Sequence, residues 1–313
     1  MAIGNTILFV NGKGGVLKTT AAAHLAGYAA SSGWDVLVID ADAQANQSRD
    51  LGYVPDGGEA LAAALVGEKP LKPVRHPKWD TLSYVPGGPA VDAALGHLTS
   101  ELSRGKLGSL RAFERALAPI AGDYHLIVVD SPPRELLLRK LLFTAGRFVV
   151  VPSQVDEGSV DGIAGVFETA AEVRDGDQLN PDLEVLGAFL GPIQNGAKKT
   201  ERMARQRINT LVGDDDFVFT STIRSAQSIA AYCRLHGMLT NEYEQIAADT
   251  KANRRWYRLS KEEREKAKDE HTFSEAAPGL ATDWENLVAE IMARFQTRLR
   301  GEEPQRVGMS TGA

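Results

Sequence analysis

Short apolar, β-branched runs alternate with amphipathic helical stretches along most of the chain. The predicted strands are residues 6–10, 36–39, 82–85, 126–129, 148–151 and 185–190. The predicted helices are residues 19–32, 91–102, 109–117, 136–143, 162–173 and 200–212. This alternation is typical of βαβ units, and the continuous apolar runs indicate helices on both faces of a sheet. The pattern therefore predicts an α/β fold with a doubly wound, mostly parallel sheet.

The character of the sequence changes near residue 241. A highly charged run at 262–270 predicts a solvated helix. After the Pro278-Gly279 break, apolar residues recur at helical spacing and predict an amphipathic helix: Trp284, Leu287, Val288, Ile291, Met292 and Phe295. We therefore expect a main α/β domain at 1–240, a helical extension packing on it at 241–300, and a disordered tail at 301–313.

Composition and charge narrow the class of protein. Of the 313 residues, 43% are hydrophobic and 24% are charged, as in an ordinary globular protein. The net charge of −6 means that any contact with nucleic acid has to come from a local basic patch. Cys233 is the single cysteine, which excludes a disulfide framework and fits a reducing compartment. With no secretory pattern and no apolar run of transmembrane length, we expect a cytoplasmic protein.

A glycine-rich segment joins the first predicted strand to the first predicted helix. It reads Asn-Gly-Lys-Gly-Gly-Val-Leu-Lys-Thr-Thr from Asn11 to Thr20. Glycines in such a turn let backbone N–H groups converge on anionic oxygens at a helix N-terminus. A lysine there suits the β- and γ-phosphates, and a threonine hydroxyl suits Mg²⁺. The segment therefore predicts an ATP or GTP site formed by Gly12, Lys13, Gly14, Gly15, Val16, Leu17, Lys18, Thr19 and Thr20.

The sequence of this loop departs from the usual P-loop motif, G-x-x-x-x-G-K-[ST]. Leu17 occupies the second glycine position, and an additional lysine, Lys13, lies near the start. One interpretation is a glycine-rich turn with an unrelated surface lysine. The other makes Lys13 a second cation for the phosphates. Because Lys13 comes too early in the loop to fold easily onto its own nucleotide, it would then reach one held by a facing subunit.

Acidic residues that follow two predicted strands are candidates for holding the metal and the hydrolytic water. Asp40 ends its strand, where a carboxylate can hold a water on Mg²⁺, and Asp42 can orient an attacking water. The alternative is that both are ordinary turn formers. Asp130 ends four apolar residues, the pattern of a Walker B strand that binds Mg²⁺ through water. Hydrolysis at such a site needs mainly charge neutralisation and placement of the water.

Together these segments resemble the ParA/MinD family of deviant Walker A ATPases. The family's loop, x-K-G-G-x-x-K-[ST], permits Leu17 and has a signature lysine at the position of Lys13. Its D-x-D-P-Q-x-N stretch is matched over residues 40–46, except that Ala43 replaces the proline. Its D-x-P-P is matched by the four residues that begin at Asp130.

The resemblance covers about residues 3–240 and implies a nucleotide-sandwich homodimer that binds ATP and Mg²⁺. In this arrangement Lys13 of each subunit reaches the partner's ATP, and turnover is slow and stimulated by a partner protein. The residues that the resemblance implies are Lys13, Lys18 and Asp42 for catalysis, with Asp42 positioning the attacking water, and Thr19, Asp40 and Asp130 for the metal.

Two further positions are candidates for contact with the adenine base. Asn195 follows the predicted strand that ends at residue 190 and is placed like a family residue that contacts adenine. Residues 222–225 read Thr-Ile-Arg-Ser where ParA proteins usually carry Pro-Arg-Asn, so that Ile223 takes the place of the proline. Each could equally be an ordinary loop residue.

ParA-type proteins bind non-specific DNA as ATP dimers, and two basic clusters are candidates for that contact. Charge runs are usually solvated surface, but lysines and arginines gathered on one dimer face give salt-sensitive phosphate binding without sequence preference. The candidate DNA-binding residues are Lys198, Lys199, Arg202, Arg205 and Arg207 in the first cluster, and Arg254 and Arg255 in the second.

The amphipathic pattern at 284–295 also has two interpretations. MinD relatives end in a basic amphipathic helix that binds membranes, and the arginines near the end of this pattern supply positive charge. Three acidic residues dilute that charge, which favours a helix that packs on the main domain.

We therefore expect a short ParA-type ATPase, cytoplasmic and nucleoid-associated, that segregates plasmid or chromosomal DNA with a ParB-like partner. Because the loop begins about a dozen residues into the chain, no N-terminal helix-turn-helix domain is expected. A single cysteine excludes nitrogenase iron-protein relatives, which need paired cysteines for a shared cluster. The alternatives are ParA-like positioning of a non-DNA cargo, a MinD-like membrane-associated ATPase, and a non-catalytic nucleotide switch.

Overall fold

The computed structural model describes residues 2–67, 69–194, 196–253 and 279–301. Within these residues eight strands form one sheet in the order β3-β4-β2-β5-β1-β6-β7-β8. All neighbouring strands are parallel except β3 and β4. This confirms the predicted doubly wound, mostly parallel sheet. The strands are β1 Ile3–Phe9, β2 Val36–Asp40, β3 Val74–Arg75, β4 Leu82–Val85, β5 Leu126–Asp130, β6 Gly146–Ser153, β7 Glu184–Ile193 and β8 Val218–Arg224.

Helices cover both faces of this sheet, because the strands are apolar on both sides. The helices are α1 Lys18–Ser31, α2 Gln47–Leu51, α3 Glu59–Gly67, α4 Ala90–Ser103, α5 Ala112–Leu117, α6 Leu136–Ala145, α7 Glu157–Ala171, α8 Lys198–Val212, α9 Gln227–His236, α10 Thr240–Asn253 and the C-terminal helix Leu280–Leu299. In β1, Leu8 packs into one hydrophobic cluster, with α3 to α8, whereas Ile7 and Phe9 pack into the other, with α1, α9 and the C-terminal helix.

Several elements differ from the sequence prediction. The strands β3 and β8 and the helices α2, α3 and α9 were not predicted, whereas α10 lies in the segment 241–300 for which only a helical extension was predicted. The predicted helix at 109–117 is a 3₁₀ turn, Leu107–Arg111, followed by α5. The helix predicted from 162 begins at Glu157, because the Asp156 carboxylate caps it by accepting the N–H of Ser159 at 3.1 Å.

The C-terminal helix uses its apolar face inside the molecule. Trp284, Leu287, Ile291 and Phe295 are all buried in the same hydrophobic cluster as α1. The Arg294 guanidinium donates hydrogen bonds to main-chain oxygens at the end of the sheet, and so does not extend into solvent as a basic face would. The apolar face of this helix is therefore occupied by contacts within the described residues.

The same helix also protects the edge of the sheet. The two oxygens of Glu290 accept the N–H groups of Thr220 and Ser221, at 2.7 and 2.9 Å. These N–H groups belong to β8, which is an edge strand and would otherwise leave them unpaired. β8 is the last of the described strands in the sheet. The Glu290 carboxylate therefore accepts the N–H groups that a further strand would otherwise bind.

Some expectations fall outside what the structure describes or tests. The charged run at 262–270 lies outside the described residues. The division of the chain at residue 240 and the tail at 301–313 stay predictions. Among the helices with a described structure, none combines the length and the apolar character needed to span a bilayer.

Candidate nucleotide site

The candidate site lies where three central strands end side by side. In the sheet β5 lies between β2 and β1, and Asp130 pairs in register with Asp40 on one side and with Phe9 on the other. The glycine-rich loop follows β1 directly. Because the carboxyl ends of parallel strands share one edge, the loop and both carboxylates meet there.

The loop leads into α1 through two residues with left-handed backbone angles. Gly15 has a φ of 74° and Leu17 a φ of 67°. For a leucine this conformation costs about 1–2 kcal/mol, which other contacts have to offset. Asn11 supplies one of them, since its amide bonds both the N–H of Lys13 and the carbonyl of Pro152. The Gln154 amide adds a hydrogen bond to the Gly15 carbonyl at 3.0 Å.

Lys18 is the first residue of α1 and points back over the loop. Its Nζ donates to the carbonyl of Lys13 at 2.8 Å, and the side chain is buried. Burial lowers the pKa of Lys18 below that of an ordinary lysine, while the charges of Asp130 and Asp42 partly offset this effect. The ammonium group therefore lies within the electrostatic reach of both carboxylates.

Three buried carboxyl groups lie at the same edge of the sheet as Lys18. Asp40 accepts the N–H groups of Asp42 and Gln47 at 3.0 and 3.1 Å, yet burial raises its pKa to about 7. Burial, together with the charge of Asp40, raises the pKa of Asp130 well above its ordinary value. Asp42 is held by the N–H of Gln44 at 2.9 Å. If all three carboxyl groups were ionised, their negative charge would exceed what Lys18 can balance, and this agrees with the raised pKa values of Asp40 and Asp130.

The residues at this edge fit a hydrated Mg²⁺. Oδ1 of Asp130 is buried and has no hydrogen-bond partner among the described residues, and the Thr19 hydroxyl interacts with the same carboxylate. Within the described residues there is no group of three acidic, histidine or cysteine side chains that could enclose a metal. Mg²⁺ commonly keeps waters and takes few protein ligands beside phosphates, so Thr19 with Asp130 and Asp40 suits it.

Lys13 does not join Lys18 at the loop but extends towards the start of α7. Its Nζ contacts Asp156 at 2.5 Å, Gln154 at 3.1 Å and Ser159 at 3.3 Å. The ion pair is accessible, with 32% of the Lys13 side chain exposed. In a single chain this lysine is therefore held by its own protomer, at the surface.

The remaining residues predicted to contact the nucleotide differ in where the structure places them. The hydroxyl of Thr20 is directed away from the loop and donates to Asp50, which also pairs with Arg234. Ile223 lies at the end of β8 and faces Leu17, with Gly191 between them. A Cβ atom added to Gly191 would lie 2.9 Å from Ile223 and 3.1 Å from Leu17. Asn195 lies outside the described residues.

Two residues that the sequence analysis did not select also lie at this edge. Arg139 on α6 donates to the Gly165 carbonyl at 3.1 Å, and its charge contributes to the lowered pKa of Lys18. Its guanidinium is 3.4 Å from where a Cβ on Gly12 would be. Gly87 is close to Asp40 and Asp42, since a Cβ there would lie 2.4 Å from the Asp42 carbonyl. The signal for Arg139 was a pair of basic residues, Arg139 and Lys140, within an otherwise apolar helix pattern.

The first basic cluster lies on α8, and one member has a structural role. Arg205 donates to the carbonyls of Val218 and Phe219 and so ties α8 to the edge strand. Arg205 therefore also holds the edge strand, and its contact with DNA stays a prediction. The other four are exposed: Lys198, Lys199, Arg202 and Arg207. Arg254 and Arg255 of the second cluster lie outside the described residues.

Comparisons with known proteins agree with this geometry. A family model described as an AAA domain matches residues 4–185. The chromosome-partitioning ATPase Soj of Thermus thermophilus is 38% identical over 59% of this chain and 68% of its own length. The chromosome partitioning protein ParA of Myxococcus xanthus is 33% identical over 60% of this chain and 65% of its own length, so the match spans just under two thirds of that relative.

A solved structure supports the fold independently of sequence. The septum site-determining protein MinD of Pyrococcus horikoshii, complexed with Mg-ADP, has a TM-score of 0.58 at 20% identity. The similarity covers 77% of this chain and 89% of that one. Since the family match also spans more than half of the sequence, the chain belongs to the ParA/MinD family of deviant Walker A ATPases.

Proposed function

We propose that the protein is an Mg²⁺-dependent ATPase that dimerises around ATP and segregates plasmid or chromosomal DNA. The observation that carries this proposal is the meeting of the loop, Lys18 and three buried carboxylates at one sheet edge. ATP and Mg²⁺ are the cofactors that this site suits. The partition names of the two relatives favour DNA as the cargo over other cargoes.

Each side chain at the edge has one task in hydrolysis. Backbone N–H groups of the loop and the Lys18 ammonium hold the phosphates, and Thr19, Asp130 and Asp40 hold the metal with its waters. When bound, Mg²⁺ supplies positive charge against the phosphate oxygens. Asp42, fixed by the Gln44 N–H, orients the attacking water and accepts its hydrogen bond.

Lys13 completes the site from a second copy of the chain. It starts at the surface, held by Asp156 of its own protomer. An ion pair between partly exposed groups contributes about 0–1 kcal/mol, so releasing this lysine to a facing triphosphate costs little. We infer that dimerisation exchanges the carboxylate partner of Lys13 for phosphate oxygens of the nucleotide on the opposite subunit.

DNA binding is assigned to the exposed face of α8. Lys198 and Lys199 begin that helix and Arg202 follows one turn later, so the three side chains are close enough to contact one phosphate backbone. We expect DNA of any sequence to bind the ATP-loaded protein, with affinity that falls steeply as salt is raised. A ParB-like protein bound at a centromere is the partner expected to stimulate hydrolysis and release.

A gel shift with plasmid fragments of unrelated sequence tests this assignment. Lys198→Glu combined with Lys199→Glu should weaken binding equally for all fragments and lower the salt slope by about 2. Lys69→Glu with Lys72→Glu is the matched control, because both lysines are exposed and precede β3 at the opposite end of the sheet. Equal loss in both variants, or binding to anionic liposomes and not to DNA, would refute the proposal.

A further inference from the structure

Arg139 is a positive charge within the fold that no described carboxylate balances. It is the fourth residue of α6 and is partly buried. Its Nη1 donates to the Gly165 carbonyl at 3.1 Å and to the Thr169 hydroxyl at 3.4 Å, and both acceptors are uncharged. Burial lowers the pKa of Arg139, and no carboxylate in the described part of the chain offsets this effect. Because an unpaired cation is costly to bury, the side chain is suited to an anionic ligand.

The free side of this guanidinium faces the start of the glycine-rich loop. Within the described residues no hydrogen bond uses Nη2, which lies 3.4 Å from the position that a Cβ on Gly12 would take. Because Gly12 has no side chain, there is room for the guanidinium beside the loop backbone. Lys18 reaches the next residue of the loop, since its Nζ donates to the Lys13 carbonyl at 2.8 Å. Two cations therefore approach adjacent residues of the loop.

The two cations also interact electrostatically. Burial is the main cause of the lowered pKa of Lys18, and the positive charge of Arg139 adds to it. Repulsion between like charges disfavours the ionised form of both groups. An anion bound by both would remove this cost. A phosphate fits best, because the planar fork of N–H groups on an arginine matches the spacing of phosphate oxygens.

We propose that Arg139 contacts the terminal phosphate of the nucleotide held by its own protomer. The inference rests on the proposed function, because it needs a triphosphate on the glycine-rich loop. The candidate adenine contact Ile223 faces Leu17 at the far end of that loop, so the phosphate furthest from the base lies towards Gly12. Arg139 is then a further catalytic residue, which balances charge on the γ-phosphate from the side of α6. It acts within one protomer, whereas Lys13 is assigned to the facing one.

A comparison of ATP with ADP isolates the terminal phosphate. Both are titrated with Mg²⁺ into Lys13→Gln protein, in which no lysine arrives from a second copy and ATP should stay intact. In this background Arg139→Gln should raise the Kd for ATP about tenfold, the effect of losing one charge-assisted hydrogen bond. The Kd for ADP should not change, which also shows that the variant is folded. Arg139→Lys should recover part of the affinity for ATP, because it keeps the charge but not the fork.

Lys140→Gln is the matched control. Lys140 is the next residue of α6, and its charge is already paired with Glu172 at 2.7 Å. Its replacement should leave the Kd values for both nucleotides unchanged. A loss confined to ATP and to Arg139 supports the proposal.

Three results would overturn this inference alone. Equal losses for ATP and ADP would mean that Arg139 only joins α6 to α7. Unchanged affinities in Arg139→Gln protein would place the guanidinium outside the site. An equal loss for ATP in Lys140→Gln protein would show a general effect of charge rather than a contact. If the Lys13→Gln background and wild type bind neither nucleotide, the proposed function is overturned as well.

Discussion

The buried carboxylate of Asp40 predicts an unusual pH dependence of stability. In the nucleotide-free protein burial raises its pKa from an ordinary value of 3.8 to about 7. Between these values the native state keeps a proton that the unfolded chain has released. The native state therefore binds more protons there, and its free energy of unfolding decreases as pH rises. Below about pH 4 both states are protonated and the contribution vanishes.

The size of the effect follows from the shift. About three pH units at 1.36 kcal/mol each give a penalty of about 4 kcal/mol above pH 7. Asp40→Asn removes the charge, but its amide nitrogen cannot accept one of the two N–H groups that Asp40 accepts, which costs about 1–3 kcal/mol. We therefore expect the variant to be about 1–3 kcal/mol more stable than wild type at about pH 8 and no more stable at about pH 4.

Urea unfolding without nucleotide and with a chelator measures this difference across the pH range. Asp123→Asn is the control, because Asp123 is exposed and its replacement should leave the pH profile unchanged. Mg²⁺ and ATP should reverse the order, since the wild-type carboxylate then faces a cation. An Asp40→Asn protein that is less stable than wild type at pH 8, or that keeps the wild-type slope, would refute the reasoning.

Three other variants test separate parts of the account. Asp156→Asn should release Lys13, so that light scattering shows half-maximal dimerisation at a lower ATP concentration. The decrease should be less than about fivefold, because the ion pair of Lys13 with Asp156 is partly exposed. A variant that needs more ATP than wild type would contradict this. Asp42→Ala should lower the rate of phosphate release by at least about 100-fold while the ATP-bound dimer persists; rapid turnover would remove Asp42 from the mechanism. Glu290→Gln should lower the free energy of unfolding by about 1 kcal/mol, unlike Glu285→Gln, because one edge N–H of β8 loses its acceptor; equal stability of the two variants would contradict that role.

The sequence predicted the central sheet and the order of its functional loops, because both are local patterns. Apolar runs of four residues mark β2 and β5, and each is followed by the aspartate that defines the site. β8 was missed because polar residues occupy its middle, Thr220 to Thr222. Its N–H groups are satisfied by Glu290, seventy residues away, and no local pattern indicates such a partner.

The contacts of the candidate site were harder to predict for the same reason. Lys13 was selected from its motif, but its contact with Asp156 joins residues 143 positions apart. Thr20 belongs to the motif as well, yet its hydroxyl bonds Asp50 on α2, a helix that the pattern did not predict. Motif spacing identifies which residues gather at an edge, whereas side-chain direction depends on the elements packed around them.

A mixing experiment tests most directly whether Lys13 acts across a dimer. Lys13→Gln protein cannot donate the lysine, and Lys18→Ala protein cannot hold the nucleotide, so each should be inactive alone. A dimer with one copy of each has one complete site, so with random pairing half of the dimers in an equal mixture are mixed and activity should return to about a quarter of wild type. A mixture that forms dimers but stays inactive, or Lys13→Gln protein that is active alone, would contradict the account.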